Sequence, residues 1–241
     1  MKTLLFVFVI SLSLSSIAQT ADEIIDTYFE NTGGADKWAS LKGVKMQATA
    51  NAQGMEIPVE IYQLADGRQA VIINFQGQEI TQFAFDGETL WSDNFMTLQA
   101  EKSDSEMTEN MKKQAGDFPS PFLDYKSKGY TVELLENETI DGAETFKIKL
   151  TQKPIMVDGQ EQPNVSYHFF DVDSYALIRS EAEIQQGPMQ GQKSISTMSD
   201  YQEVDGLYFP FDMGMSGQSI KITSIELNPE VEDNVFIFPE E

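Results

Sequence analysis

The sequence predicts a mainly β protein with a few short helices, on three observations. First, long stretches alternate apolar and polar residues with period two, as antiparallel strands with one buried face do. Ile57, Val59 and Ile61 alternate with Glu56, Glu60 and Tyr62; Phe146, Ile148 and Leu150 with Lys147 and Lys149; Val165, Tyr167 and Phe169 with Ser166 and His168. Second, turn signals separate these runs at Ala52-Gln53-Gly54, Asp66-Gly67, Gln76-Gly77, Asp86-Gly87, Asp141-Gly142, Asp158-Gly159 and Asp205-Gly206. Third, the alternation is absent in only a few places, and two of them open with the spacing of a helix capping box. About twelve strands result, spaced as in sandwiches and barrels.

Taken in order, the chain starts with Met1-Lys2-Thr3, an apolar run from Leu4 to Leu14, and Ser16-Ile17-Ala18. A basic start, a short apolar stretch and small residues before a polar one predict a secretory signal peptide, cleaved after Ala18. The run falls short of the roughly 20 apolar residues that a spanning helix needs. There is no Cys, so neither a lipid anchor nor a disulfide is expected, and the exported chain should be soluble. Thr20-Ala21-Asp22-Glu23 is the first capping box; Ile24, Ile25, Tyr28 and Phe29 follow at helical spacing, and Gly33-Gly34 stops the helix. A second short helix is predicted over Asp36 to Leu41, with Trp38 and Leu41 on its apolar side. Ser103-Asp104-Ser105-Glu106 is the other capping box, ahead of Met107, Met111 and Ala115, and Phe118-Pro119-Ser120-Pro121-Phe122 closes that helical insertion. No linker or repeat divides the rest, so residues 19–241 read as one domain.

The charge narrows the partners. Thirty-nine acidic against 16 basic residues give a net charge of −23, one unit more negative once Lys2 is removed. A field of that sign repels polyanions, which excludes nucleic acid and disfavours anionic lipid surfaces. Catalytic groups are few. The single histidine, His168, falls on the polar phase of its strand and reads as a surface residue. Asp171-Val172-Asp173 has a calcium-like spacing, but the twelfth position of such a loop is Ala182 rather than Glu. Gly187 to Gly191 lacks the lysine and helix of a phosphate loop. No catalytic residue, metal or cofactor is predicted. Apolar bulk is plentiful instead: Phe75, Phe83, Phe85, Trp91, Phe95 and Met96 follow one another, and the chain holds 11 methionines.

Several segments resemble the LolA-like outer-membrane lipoprotein-sorting proteins, in their divergent Bacteroidetes-type form. They are Ala21 to Phe29, Thr32-Gly33-Gly34-Ala35-Asp36-Lys37-Trp38, Phe85-Asp86-Gly87-Glu88-Thr89-Leu90-Trp91, Phe169-Phe170-Asp171 with Leu177-Ile178-Arg179, Tyr201 through Pro210, and Phe236-Ile237-Phe238-Pro239. The resemblance implies a half-open, strongly curved antiparallel β-barrel of about 11–12 strands covered by short helices. It also implies a periplasmic carrier or chaperone whose apolar cavity takes acyl chains of lipoproteins, or other lipids, for delivery to the outer membrane. Envelope lipoprotein-transport machinery would be its partner. The family often holds its lid with a basic residue inside the barrel; Arg68 and Arg179 have no such assignable role here.

The inward-phase apolar residues predicted to line that cavity are Met46, Ile57, Val59, Ile61, Val71, Ile73, Phe83, Phe85, Trp91, Phe146, Ile148, Tyr167 and Phe169. A rival expectation keeps the fold but makes it an envelope sensor or scaffold that binds a basic protein partner through its acidic surface.

Overall fold

A computed structural model describes residues 19–52, 54–186, 189–215 and 217–239. The predicted signal peptide, Met1 to Ala18, lies outside them. Helix α1 spans Ala21–Asn31, and Thr20 caps it as the sequence predicts. The Thr20 hydroxyl accepts from the Glu23 N–H at 3.2 Å, and the Glu23 carboxylate accepts from the Thr20 N–H at 2.8 Å. Ile24, Ile25 and Phe29 are its buried side. Gly33 then takes a φ of +115°, and a Cβ there would lie 2.3 Å from the Gly206 carbonyl oxygen. Only glycine lets the helix end sit this close to that turn. Helix α2 follows over Ala35–Ala39, starting one residue before the predicted span and ending two before it; Trp38 is buried and donates its indole N–H to the Thr32 carbonyl at 3.1 Å.

The strands form one sheet. In chain order they are β1 Gly43–Ala52, β2 Met55–Leu64, β3 Gln69–Phe75, β4 Gln78–Phe85, β5 Leu90–Asp93, β6 Ala100–Lys102, β7 Thr131–Leu134, β8 Glu138–Ile140, β9 Ala143–Val157, β10 Gln160–Asp171, β11 Leu177–Glu183, β12 Lys193–Val204, β13 Leu207–Met215 and β14 Gln218–Leu227. Their order is β6-β5-β4-β3-β2-β1-β14-β13-β12-β11-β10-β9-β7, every pairing antiparallel, with β8 also on β9. Fourteen strands replace the predicted 11–12. The sheet does not close: β6 and β7 are its edges. Four of the hairpin turns join an αL residue to an αL glycine, Gln76-Gly77, Asp141-Gly142, Asp158-Gly159 and Asp205-Gly206. That is the two-residue geometry that matches strand twist, and it is why the dipeptides were legible.

The sheet is strongly curved. One apolar cluster joins Ile24, Ile25 and Phe29 of α1 to Val44 of β1, Leu207 and Phe209 of β13, and Ile148, Leu150 and Phe170 of β9 and β10. From β1 to β9 there are six strand spacings, about 29 Å if flat, whereas a helix is only about 10–12 Å across. A single cluster can include both ends only if the sheet wraps around the helix. The face that carries α1 is therefore the inner face.

Helix α3, Ser105–Gln114, lies across the gap between the two halves of the sheet. Asp104, not Ser103, is its cap, accepting from the Met107 N–H at 2.8 Å. Glu106 is thereby free to accept from the Asp158 and Gly159 N–H groups at 2.9 and 2.8 Å, at the β9–β10 turn. Asn110 is the residue this helix buries, in place of the predicted methionine stripe; Met107 is exposed. The Asn110 side-chain amide gives to and takes from the Met156 backbone at 2.7 and 2.8 Å, pairing part of β9 beyond the end of β7. On the other side, Gln69 of β3 donates to the Met111 sulfur at 3.1 Å, and Lys112 pairs with Glu88 at 2.8 Å.

The C-terminal segment crosses the outer face of β2–β5. Phe236 is fully buried there among Tyr62, Ala70, Ala84 and Trp91.

Candidate functional site on the inner face

Strand register assigns each predicted cavity residue to a face. Met46 pairs with Ile61 and Ile225, Val59 with Ile73, Ile61 with Val71, and Val71 with Phe83. With Ile57 and Phe85 they stand on the inner face of β1–β4, continuous with Val44 of the α1 cluster. Phe146 and Ile148 share that face on β9, opposite Phe170 and His168. Ten of the thirteen predicted residues thus share one face. The other three do not. Trp91 pairs with Ala84 and turns outward, donating its indole N–H to the Phe236 carbonyl at 2.7 Å. Tyr167 and Phe169 also face outward, each with the Lys147 ammonium 5.3 Å from its ring centroid.

The inner face has two halves along the strands. The half next to α1 and α2 is filled: Ile148, Leu150, Phe170 and Leu207 are fully buried, and Phe122, Tyr125 and Tyr130 of the segment before β7 close over them. Toward the other end, among the described residues, no helix packs on the apolar residues of β13, β14 and β1–β3. Ala48, Val59 and Ile222 form a small buried group, while Ala50, Ile57, Ile61, Val71, Ile73, Met213 and Ile220 around it remain partly exposed. Two exposed methionines, Met55 and Met215, end β2 and β13 on the same face.

The inner face of β10–β12 is chemically different, and the sequence analysis missed it. His168 is buried, with its ring nitrogens hydrogen-bonded to the Ser166 hydroxyl at 2.8 Å and the Ser180 hydroxyl at 2.9 Å. The Phe122 ring meets it edge-on at 4.7 Å. Burial pushes its pKa down to about 4, so the ring is neutral at physiological pH. Across the strands His168 pairs with Ser180 and Ser180 with Ser196; one step along, Ser166 pairs with Ala182 and Ala182 with Ser194.

Ionic groups sit elsewhere. Arg179 faces outward and pairs with the Glu181 carboxylate at 2.6 Å, which also holds Lys193 at 2.8 Å. Arg68 bridges Asp66 and Asp233 at 2.9 and 2.6 Å, its guanidinium against the outer-face residue Phe236. Neither arginine stands inside. The Asp171 carboxylate takes the Ser174 N–H and hydroxyl at 2.8 and 2.7 Å, closing a turn. Among the described residues no cluster of three acidic or histidine side chains is placed to hold a metal ion, and no helix is long and apolar enough to cross a membrane. A groove of about 600 Å³ runs between α1 and residues 122–127, over Ile25, Phe29 and Phe122 and rimmed by Asp22, Asp26 and Asp124; none of the predicted cavity residues line it.

No protein-family model matches the sequence, nor does any curated protein sequence. Solved structures do match the fold. A LolA superfamily protein from Nitrosomonas europaea superposes with a TM-score of 0.53 at 14% identity, over 91% of this chain and 98% of that one. A DUF1329 family protein from Desulfovibrio piger gives 0.52 at 14% identity, over 90% and 96%. The chain has a LolA-like fold.

Proposed function

We propose that this protein is a periplasmic carrier that shelters the acyl chains of lipoproteins, or of other lipids, on the inner face of its half-barrel and performs no chemistry on them. The observation that carries this reading is the apolar inner face of β13-β14-β1-β2-β3, which continues past the filled end and stays partly exposed. An acyl chain laid on such a surface leaves water at about 0.8 kcal/mol for each buried methylene. The small side chains of Ala48 and Ala50, between Val59 and Ile57 on one side and Ile222 and Ile220 on the other, form a low track along β1. Delivery to the outer membrane, and an encounter there with lipoprotein-transport machinery, belong to the same proposal.

The test is native mass spectrometry of the mature protein taken from its own envelope, followed by lipid extraction, beside uptake of the apolar dye N-phenyl-1-naphthylamine. Stoichiometric lipid or acylated polypeptide is the expected result. An Ala50→Trp variant, which fills the track, should take up at least about tenfold less dye while unfolding at the wild-type temperature, since tenfold corresponds to only about 1.4 kcal/mol. A lipid-free mass together with dye uptake indifferent to Ala50→Trp would reject the carrier reading in favour of a protein-binding scaffold.

A further inference from the structure

The inner face has a second wall with a chemistry of its own. Among the described residues, the inward positions around Ser166, Ser180, Ser194 and Ser196 on β10–β12 carry one ionisable side chain, His168, and it is neutral. Lys45, Glu60, Lys147, Lys149, Arg179, Glu181 and Lys221 all stand on the alternate positions and face outward. The inner wall divides into an apolar part, β13 through β4, and a hydroxyl-rich part, β10 to β12.

We propose that the hydroxyl-rich wall is a head-group subsite: it binds the neutral, hydrogen-bonding end of an acyl amphiphile, an ester, amide or hydroxyl, while the chain lies on the apolar wall beside it. This rests on the carrier reading and specifies which class of cargo it takes.

Three features support the assignment. Ser194 and Ser196 are half-buried, and among the described residues no protein group hydrogen-bonds their hydroxyls, so both are open to a partner laid on this face. A neutral imidazole has one N–H and one lone pair, so one of Ser166 and Ser180 donates to the ring and the other accepts from it. The accepting serine keeps its own O–H for a carbonyl oxygen. Finally, the two walls abut: Ser196 pairs with Met215, and Met198, two residues along β12, pairs with Met213, which pairs with Ile220. Head and chain sites are therefore about 7 Å apart, two residues of strand.

The same wall argues against a charged head. A phosphate or carboxylate drawn onto this face would lose water without meeting an arginine or lysine, a costly transfer.

The experiment compares three probes on delipidated protein: monoolein, oleoyl lysophosphatidylglycerol and N-phenyl-1-naphthylamine. Monoolein should bind at least about tenfold more tightly than the lysophospholipid of the same chain. A Ser194→Ala/Ser196→Ala variant should weaken monoolein about tenfold, the effect of two neutral hydrogen bonds, and leave dye uptake unchanged. Equal affinity for the two lipids, or a double variant that holds monoolein as wild type does, would overturn the head-group subsite alone. The comparison of lipids on the wild type needs no variant, so a misfolded mutant would not shield the proposal. Failure of the wild type to take up dye and monoolein alike would overturn the carrier reading and this subsite with it.

Discussion

At the scale of single residues, strand β10 shows what period-two reading can and cannot do. Tyr167 and Phe169 were predicted inward and His168 outward; the alternation was recognised, but its phase was reversed. Both phases of this strand carry large rings, Tyr167 and Phe169 on one and His168 and Phe170 on the other, so hydrophobicity does not distinguish them. What decides is the partner strand: β9 sets Lys147 and Lys149 against Phe169 and Tyr167, and Phe146 and Ile148 against Phe170 and His168. A one-residue slip moves a whole strand to the other face, and only pairing removes the ambiguity. A bulge at Phe169/Phe170 then brings Leu177 inward while Arg179 stays outside, over the Phe169 ring. The burial of His168 has a measurable consequence. Its pKa is about 4 in the fold against 6.5 for the free side chain, so the unfolded chain binds its proton first. Stability from this group is complete above pH 6.5 and is lost as pH falls through 6.5 toward 4, by about 3 kcal/mol in all. Urea unfolding of wild type and His168→Gln between pH 7 and 4 should show the wild type losing that much more than the variant. Parallel curves would mean that the imidazole is solvated.

At the scale of elements, helix starts and turns were legible because they depend on a few local atoms. The Thr20 box holds as read, and the Asp141-Gly142, Asp158-Gly159 and Asp205-Gly206 turns fall where the αL requirement puts them. Strands β6 and β8 are three residues each, too short to show a period, which accounts for the two extra strands. Helix α3 was found but mis-phased. Its cap shifts to Asp104 because Glu106 is drawn to the β9–β10 turn, a tertiary contact that no local spacing encodes. The helix buries an amide rather than methionines because its neighbour there is a strand edge with unpaired backbone groups, not an apolar sheet surface. Asn110 is thus the attachment of this clasp to β9. Asn110→Ala removes two hydrogen bonds to backbone and should cost about 1–2 kcal/mol, with faster amide exchange confined to residues 104–117 and the Met156 region. If exchange there is unchanged, the salt bridge of Lys112 and the Glu106 contacts suffice to hold the helix.

For the whole molecule the dominant quantity is charge, which the sequence states outright but does not locate. Register locates it. The inward strand positions of the apolar and serine walls carry no charge, so the acidic surplus, net −23, is carried mainly by the outer face, the turns and the helix surfaces. Lys45, Lys112, Lys147 and Lys193 each already pair with a carboxylate, and exposed pairs of this kind contribute little, about 0–1 kcal/mol each. Among the described residues most carboxylates have no ion-pair partner, and they repel one another across the surface, which opposes the compact state. Salt should relieve that repulsion: the screening length falls from about 30 Å at 0.01 M to about 8 Å at 0.15 M. With 1 kcal/mol worth about 2–4 °C in a chain of this size, the midpoint of thermal unfolding at pH 7 should rise by about 4 °C between those two sodium chloride concentrations and change less above them. A midpoint that falls with salt would mean that the ion pairs outweigh the repulsion.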